Sequence, residues 1–201
     1  SHELGRLHLN EVFPDDVTTV YYDSINSHNI EEAIDDAIAN GCNVIFTTSP
    51  TFSQASLKAA IANPKITILN CSLHDPHTSM RTYYARMHEA KFIMGAVAGS
   101  MAAHDKIVYI ADYPIYGTIA NINSFAQGVK MTNPRAKIHL LWSCLKDVDV
   151  EEQIKQLQPD CVSDKDLSVP EAGTRYYGLY MSYPDSIWNL AIPIYNWGKF
   201  Y

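Results

Sequence analysis

The chain has 201 residues, of which 47% are hydrophobic and 18% charged, and its formal net charge is −7. This length and hydrophobic content favour a globular protein with one large or two small α/β units, and they exclude a disordered chain. The acidic balance argues against a nucleic-acid-binding surface, which needs clustered Lys and Arg, so no nucleic-acid partner is expected.

The first 82 residues predict helices and strands in alternation. Helices are expected over Glu3–Phe13, Asn29–Ala39 and Ser53–Ala62, and strands over Val17–Tyr22, Asn43–Phe46 and Ile66–Asn70. Asn29 is a typical residue to cap its helix, and Gly41 ends that helix. The polar stretch from His74 to Met80 is interpreted as a linker between two lobes.

The stretch from Thr82 to Phe125 is the most informative part of the sequence, and it reads as helix, strand, tight turn and helix. Phe92, Ile93, Val97 and Met101 recur at helical spacing and predict one buried helix face. Gly95 and Gly99 lie four residues apart, so they share a face of that helix. Each glycine costs a helix roughly 1 kcal/mol, which predicts a close approach of another backbone as the compensation.

A strand follows at Lys106–Ala111, and the turn after it leads into a helix from about Thr118 to Thr132. Further strands are expected at Lys137–Ser143, Asp160–Ser163 and Tyr177–Met181, with a short helix at Glu151–Leu157. Pro193 argues against a regular central strand over Asn189–Ile194. The alternation predicts an α/β protein with parallel sheets, divided into an N-terminal lobe (1–82) and a C-terminal lobe (83–201).

Several segments of the chain resemble the basic membrane protein (BMP) family of solute-binding proteins, which includes purine nucleoside receptors of bacterial ABC importers. The matching residues are Tyr84–Arg86, His88–Ala90, Gly95–Gly99, Lys106–Ala111, Pro114–Ile115, Ile122–Asn123, Phe125, Gly128, Asn133–Pro134, Asn196–Gly198 and Tyr201. The resemblance implies a type I periplasmic-binding-protein fold, which has two Rossmann-like lobes and a ligand cleft between them that closes by a hinge.

The resemblance also implies that the sequence is a piece of a longer protein. In that fold a hydrophobic strand precedes the helix that starts here near Glu3, and it lies between the strands represented by Val17–Tyr22 and Asn43–Phe46. Its absence would leave backbone groups of both neighbours unpaired, at about 1–3 kcal/mol for each buried group. Either the sheet rearranges so that the two flanking strands pair directly, or another chain covers the exposed edges. Of these, a homodimer or an exchange of elements is expected.

Candidate ligand-binding residues follow the predicted strands, because open α/β sheets bind ligands at the carboxyl ends of their strands. Tyr113, Tyr116 and Trp142 could stack on a nucleobase, Thr48 and Ser49 could donate hydroxyl hydrogen bonds, and Asp164 and Asp166 could accept from ribose hydroxyls. Each aromatic side chain could equally be plain core packing, and each aspartate could be a turn or cap residue.

No constellation for catalysis is found, so an enzyme is not predicted. The sequence has no GxSxG elbow, no P-loop and no HExxH motif, and its four cysteines have no CxxC spacing, so no metal or other cofactor is expected. The cluster His74, Asp75 and His77 resembles a metal site only in composition and reads as a solvated loop.

The resemblance implies a receptor for a nucleoside or a similar small polar aromatic solute, which works with an ABC permease and is membrane-anchored outside the cytoplasm in the full-length protein. The sequence departs from the family at three positions near the expected site, namely Gly117, Leu145 and Tyr180. These departures leave open an alternative, a cytoplasmic sensory or regulatory domain of the same ancestry with altered or lost ligand binding.

Overall fold

The chain forms two α/β units, each built around its own sheet. One unit comprises Ser1–Ala85 and Asn196–Tyr201, and the other comprises Arg86–Tyr195. The computed structural model describes residues 2–73, 77–165, 176–183, 186–191 and 201, with only the backbone described for Tyr116 and Tyr183. Tyr201 therefore groups with the first unit, whereas the boundary drawn from the sequence had placed it in the second lobe.

The first unit has a three-stranded parallel sheet in the order β1-β2-β3. Its elements are α1 (His2–Val12), α2 (Ile30–Ala39), β1 (Val44–Thr47), a 3-10 turn (Pro50–Phe52), α3 (Ser53–Ala62), β2 (Thr67–Cys71) and β3 (Arg81–Tyr83). Its core joins Ile30 and Ile34 of α2 to Ala60 of α3 and Ile68 of β2. The apolar spacing of α2 and the β-branched residues of β2 explain why these elements form and where they pack.

The second unit has a five-stranded sheet in the order β5-β4-β6-β7-β8. Its elements are α4 (Met87–Met101), β4 (Lys106–Ala111), α5 (Tyr116–Thr132), β5 (Lys137–Trp142), α6 (Val150–Leu157), β6 (Cys161–Ser163), β7 (Leu179–Tyr183) and β8 (Ser186–Ala191). β4 pairs in parallel with β5 and β6, but β6–β7 and β7–β8 are antiparallel. The predicted α/β class with parallel sheets is confirmed, and the antiparallel pair is an addition to it.

Residues 17–22 do not form the predicted strand. A strand needs a neighbour for its backbone groups, and among the described residues β1 pairs only with β2. Side chains hold the segment to α1 instead. Arg6 Nη1 donates to Thr19 Oγ1 at 2.8 Å, and Thr19 Oγ1 donates to Asn10 Oδ1 at 2.9 Å.

The helices α4 and α5 cross at very close range. A Cβ added to Gly95 would collide with the carbonyl of Phe125, and one added to Gly128 would collide with the carbonyl of Phe92. Thr132 Oγ1 also donates to the Ala96 carbonyl oxygen across the crossing, at 2.9 Å. The close backbone approach predicted from Gly95 and Gly99 is therefore confirmed.

The glycine stripe, and not the large apolar residues, marks the buried face of α4. Met94, Gly95, Ala98 and Gly99 are buried, whereas Ile93 is 63% exposed and Met101 is 43% exposed. The prediction that Phe92, Ile93, Val97 and Met101 form the buried face was therefore wrong for Ile93 and Met101. Two helices can approach this closely only where their side chains are small. Ile93 and Met101 therefore lie outside the contact between α4 and α5.

A single carboxylate joins β6 to the segment that enters β4. The backbone N–H groups of His104 and Lys106 donate to Asp160 Oδ2 at 3.0 and 3.1 Å, and His104 Nδ1 lies 2.7 Å from Asp160 Oδ1. Burial opposes ionisation of Asp160, but the bonds from Lys106 and His104 outweigh it and lower the pKa of the carboxyl. Charge-assisted bonds of this kind are stronger than neutral ones.

Replacing Asp160 by alanine is expected to destabilise the second unit by about 2 kcal/mol, since bonds to a charged group are worth about 1.5–3 kcal/mol. The contribution of Asp160 is present above the unfolded carboxyl pKa of about 3.9 and disappears as the pH falls through its lower folded-state pKa. Urea unfolding at neutral and acidic pH measures this, with the exposed Asp15→Ala as the control. Equal losses for the two variants at neutral pH would contradict the assignment.

Candidate functional site

Polar side chains gather at the carboxyl ends of β4, β5 and β6, which are parallel neighbours and therefore end at one edge of the sheet. Ser143 Oγ donates to Asp112 Oδ1 at 2.9 Å, and Ser143 N–H donates to the Ala111 carbonyl at 2.8 Å. Asp164, directly after β6, donates its backbone N–H to Gly178 at 2.7 Å. This carboxyl edge of the second unit thus holds two carboxylates on adjacent strands.

The environment of Asp164 changes the ionisation of its carboxyl group. Burial is the main cause that raises the pKa of Asp164, and the charge of Asp112 raises it further. The backbone N–H and the charge of Lys165 oppose this rise, and so does the charge of Lys91. A half-buried carboxylate of this kind has a strong need for hydrogen-bond donors.

Two of the predicted aromatic residues have different environments at this edge. Tyr113 is 61% exposed, so its ring is available for stacking. Trp142 is half-buried and packs against the core cluster of the second unit, so it combines a core role with its place at the end of β5. Tyr116 begins α5, but its side chain lies outside the described residues, and so does the whole of Asp166.

Lys91 is a charged residue near this edge that was not among the site residues predicted from the sequence. It lies on α4, is fully buried at 0% exposure, and donates from Nζ to Ser163 Oγ at 3.0 Å. Its ammonium also lies 5.0 Å from the centroid of the Tyr109 ring. The signal in the sequence was its spacing, because Lys91 precedes Gly95 by four residues and so lies on the buried face of the helix.

The first unit offers an uncharged set at the carboxyl ends of β1 and β2. Thr48 is exposed, while Ser49 is half-buried and caps the 3-10 turn, since its Oγ accepts from Thr51 N–H at 3.3 Å. Asn70 is fully buried, and its Nδ2 donates to Thr47 Oγ1 at 2.8 Å and to the Ser49 carbonyl at 2.9 Å. This network fixes the end of β2 against the turn that follows β1.

Two buried polar atoms in the first unit have no partner among the described residues. They are Asn70 Oδ1 and Ser72 Oγ, at and just beyond the end of β2. Buried polar groups in native proteins are nearly always hydrogen-bonded, so each exception calls for a water molecule or a ligand. These atoms add one acceptor and one hydroxyl to the sequence-predicted Thr48 and Ser49.

The structure divides the predicted site residues between the two units. Tyr113, Trp142 and Asp164 share one sheet edge in the second unit, and Thr48 and Ser49 share an edge in the first. Within the described ranges no cluster of His, Cys, Asp or Glu could hold a metal ion, and the four cysteines are free thiols. His77 is exposed, whereas His74 and Asp75 lie outside those ranges. No described helix is long and apolar enough to span a membrane.

Comparison with known proteins identifies relatives for most of the chain. Residues 1–154 match the family model of PnrA-like ABC transporter substrate-binding proteins. A purine-binding protein of Brucella abortus is 26% identical over 142 residues, which cover 70% of this chain and 41% of the relative. A protein of Haloferax volcanii, named as an ABC transporter glucose-binding protein, is 22% identical over 71% of this chain and 36% of its own. The chain thus spans about two fifths of the length of these relatives.

Solved structures share the fold. An ABC transporter solute-binding protein from Conexibacter woesei superimposes with a TM-score of 0.55 at 16% identity, over 76% of this chain and 53% of its own. A transcriptional activator of the comK gene from Bacillus halodurans gives 0.60 at 18% identity, over 77% and 53%. A solute-binding protein from Aeropyrum pernix gives 0.58 at 16% identity, over 71% and 41%. At these identities the likeness concerns the fold alone.

Proposed function

Because the chain belongs to the Bmp family of PnrA-like ABC transporter substrate-binding proteins, we propose that it is the ligand-binding part of such a receptor. The ligand is a nucleoside or a similar uncharged aromatic solute rich in hydrogen-bond donors. The observation that carries this proposal is the edge of the second unit, where Asp112 and Asp164 end adjacent strands beside the exposed ring of Tyr113.

The two carboxylates favour a ligand that donates hydrogen bonds. Ionised carboxylates only accept, and bonds from hydroxyl or amino groups to them are stronger than neutral ones. Ribose hydroxyls and base amino groups supply such donors. A phosphate group would meet like charge at this edge, where burial first and the charge of Asp112 after it raise the pKa of Asp164. The favoured ligand is therefore a nucleoside and not a nucleotide.

The uncharged polar residues at the carboxyl ends of β1 and β2 in the first unit also favour an uncharged ligand. Thr48, Ser49, Asn70 and Ser72 carry no charge, and Asn70 Oδ1 and Ser72 Oγ have no hydrogen-bond partner in the part of the chain that the structure describes. An amide or amino group of a base, or a sugar hydroxyl, would satisfy both atoms without placing a charge in a buried site. The purine-binding relative from Brucella abortus favours the same class of ligand.

The proposal extends to partners and location by way of the family. The full-length receptor would deliver its solute to an ABC permease outside the cytoplasm and would be held there by a lipid anchor. The two units would correspond to the two lobes expected from the sequence, residues 1–82 and 83–201. A homodimer or an exchange of strands stays a prediction.

The cytoplasmic regulatory alternative gains nothing from the comparisons. The likeness to the transcriptional activator from Bacillus halodurans is at 18% identity, and it concerns a fold that hosts unrelated functions. The family match concerns ABC transporter substrate-binding proteins, and it favours a role in binding over a role in catalysis.

Adenosine, guanosine and inosine are expected to raise the melting temperature of the protein, whereas adenosine monophosphate is not. A ligand at about 100 times its Kd adds about 2.7 kcal/mol to the stability of a protein that binds it only when folded. Differential scanning fluorimetry followed by calorimetry measures this, with ribose, adenine and glucose as comparisons. A response to glucose alone, or to none of these compounds, would refute the nucleoside proposal.

A further inference from the structure

Among the described residues near the proposed site, Lys91 is the one that is both fully buried and positively charged. It lies on α4, in the otherwise small and apolar stripe that contacts α5 and the sheet. Burying a lysine is costly unless the ammonium finds hydrogen bonds and compensating charge. Its bond to Ser163 Oγ at 3.0 Å and its position 5.0 Å from the Tyr109 ring supply part of that compensation.

The bond to Ser163 holds the Lys91 ammonium at the end of β6, and Asp164 is the next residue of the chain. Four groups act on Asp164 or respond to it from the elements around it. Lys91 of α4 and Lys165 favour its ionised form, Asp112 after β4 disfavours it, and the Tyr180 hydroxyl of β7 is itself affected by the Asp164 charge. Of the two cations, only Lys91 is shielded from solvent.

We propose that Lys91 is a positioning residue for the carboxyl edge of the second unit. It anchors the end of β6 through Ser163, and it supplies a buried positive charge that favours Asp164 as an acceptor for a ligand's donors. This inference rests on the proposed function for its binding consequence, but its effect on Asp164 exists without any ligand. Lys91 touches no ligand itself and acts through Ser163 and Asp164.

Three substitutions separate the charge from the hydrogen bond. Lys91→Gln keeps a donor for Ser163 and removes the charge, Lys91→Met removes both, and Lys91→Arg keeps both. The exposed Lys130→Met on α5 is the matched control. The ionisation of Asp164 is followed in the ligand-free protein by carbon-13 NMR of labelled aspartate carboxyls from about pH 3 to about pH 8, with the signal identified by Asp164→Asn.

We expect the Asp164 titration to move to higher pH in Lys91→Gln and Lys91→Met, and to stay in place in Lys91→Arg and Lys130→Met. Adenosine affinity should fall by about threefold to tenfold on the acidic side of that titration, which corresponds to the loss of about one hydrogen bond, and should recover at higher pH. If the loss of the Lys91 charge only loosened the packing of the protein, the affinity for adenosine would fall by the same factor at every pH.

An Asp164 titration in Lys91→Gln that equals that of the parent would overturn the inference, and so would a shifted titration with an unchanged pH profile of adenosine binding. If Lys91→Met fails to fold, Lys91→Gln still decides the question because it retains the bond to Ser163. If adenosine does not bind the parent protein, the proposed function fails, while the titration alone still shows whether Lys91 controls Asp164.

Discussion

Replacing Gly95 by alanine lowers the free energy of unfolding by about 3 kcal/mol or more, which exceeds the range of about 1–3 kcal/mol typical of overpacking. The added methyl group would lie 2.8 Å from the Phe125 carbonyl carbon and 3.0 Å from its Cα, and it would be closer still to the carbonyl oxygen. These are backbone atoms, so no side-chain rotation can relieve the collision and α5 must move away from α4.

The same geometry makes Gly128→Ala an independent second test. Its Cβ would lie 2.8 Å from Ala96 N and 3.0 Å from the Phe92 carbonyl carbon. Urea unfolding of both variants measures the effect. Ser100→Ala is the control, because Ser100 is exposed on α4 and alanine is the better helix former. If Gly95→Ala unfolds together with the parent, the close crossing does not exist.

Tyr113→Ala is expected to weaken adenosine binding by about fivefold or more without lowering the melting temperature of the ligand-free protein. Stacking of a base on an aromatic ring is worth about 1–3 kcal/mol. Because Tyr113 is 61% exposed, its removal costs the fold little. Trp142→Ala, by contrast, should reduce both affinity and stability, since Trp142 also packs against the core.

Isothermal calorimetry with adenosine separates these outcomes, and Tyr113→Phe should retain most of the affinity because it keeps the ring. Trp188→Ala is the control, as it removes another exposed aromatic side chain, on β8. Equal affinity in Tyr113→Ala and the parent would remove Tyr113 from the site and leave the ligand contacts to other residues.

Local patterns in the sequence were sufficient wherever one element decides its own structure. The strand Lys106–Ala111 and the helix Ser53–Ala62 form over the predicted residues, because a β-branched run and a helix that stops before a proline need little information from the rest of the chain. The carboxyl edge of the second unit could also be anticipated, since the order of strands and helices fixes which turns meet.

Features that depend on neighbours could not be read in this way. Residues 17–22 have the composition of a strand but lack a paired neighbour, and Arg81–Tyr83 is a strand only because β2 lies beside it. The antiparallel direction of β7 depends on its pairing with β6, in which Ser163 lies opposite Leu179. Lysine is a residue type that favours exposure to solvent. The position of Lys91 on the helix places it on the buried face instead.

The interlocked crossing of α4 and α5 limits which substitutions the chain can tolerate. Any residue other than glycine at position 95 or 128 would displace a helix. Ile93 and Met101 lie on the exposed side of α4, so we expect substitutions there to be tolerated. The residues that make this chain resemble its family are concentrated in and around that crossing. Similarity at the crossing therefore reflects the packing of two helices and not the identity of a bound solute.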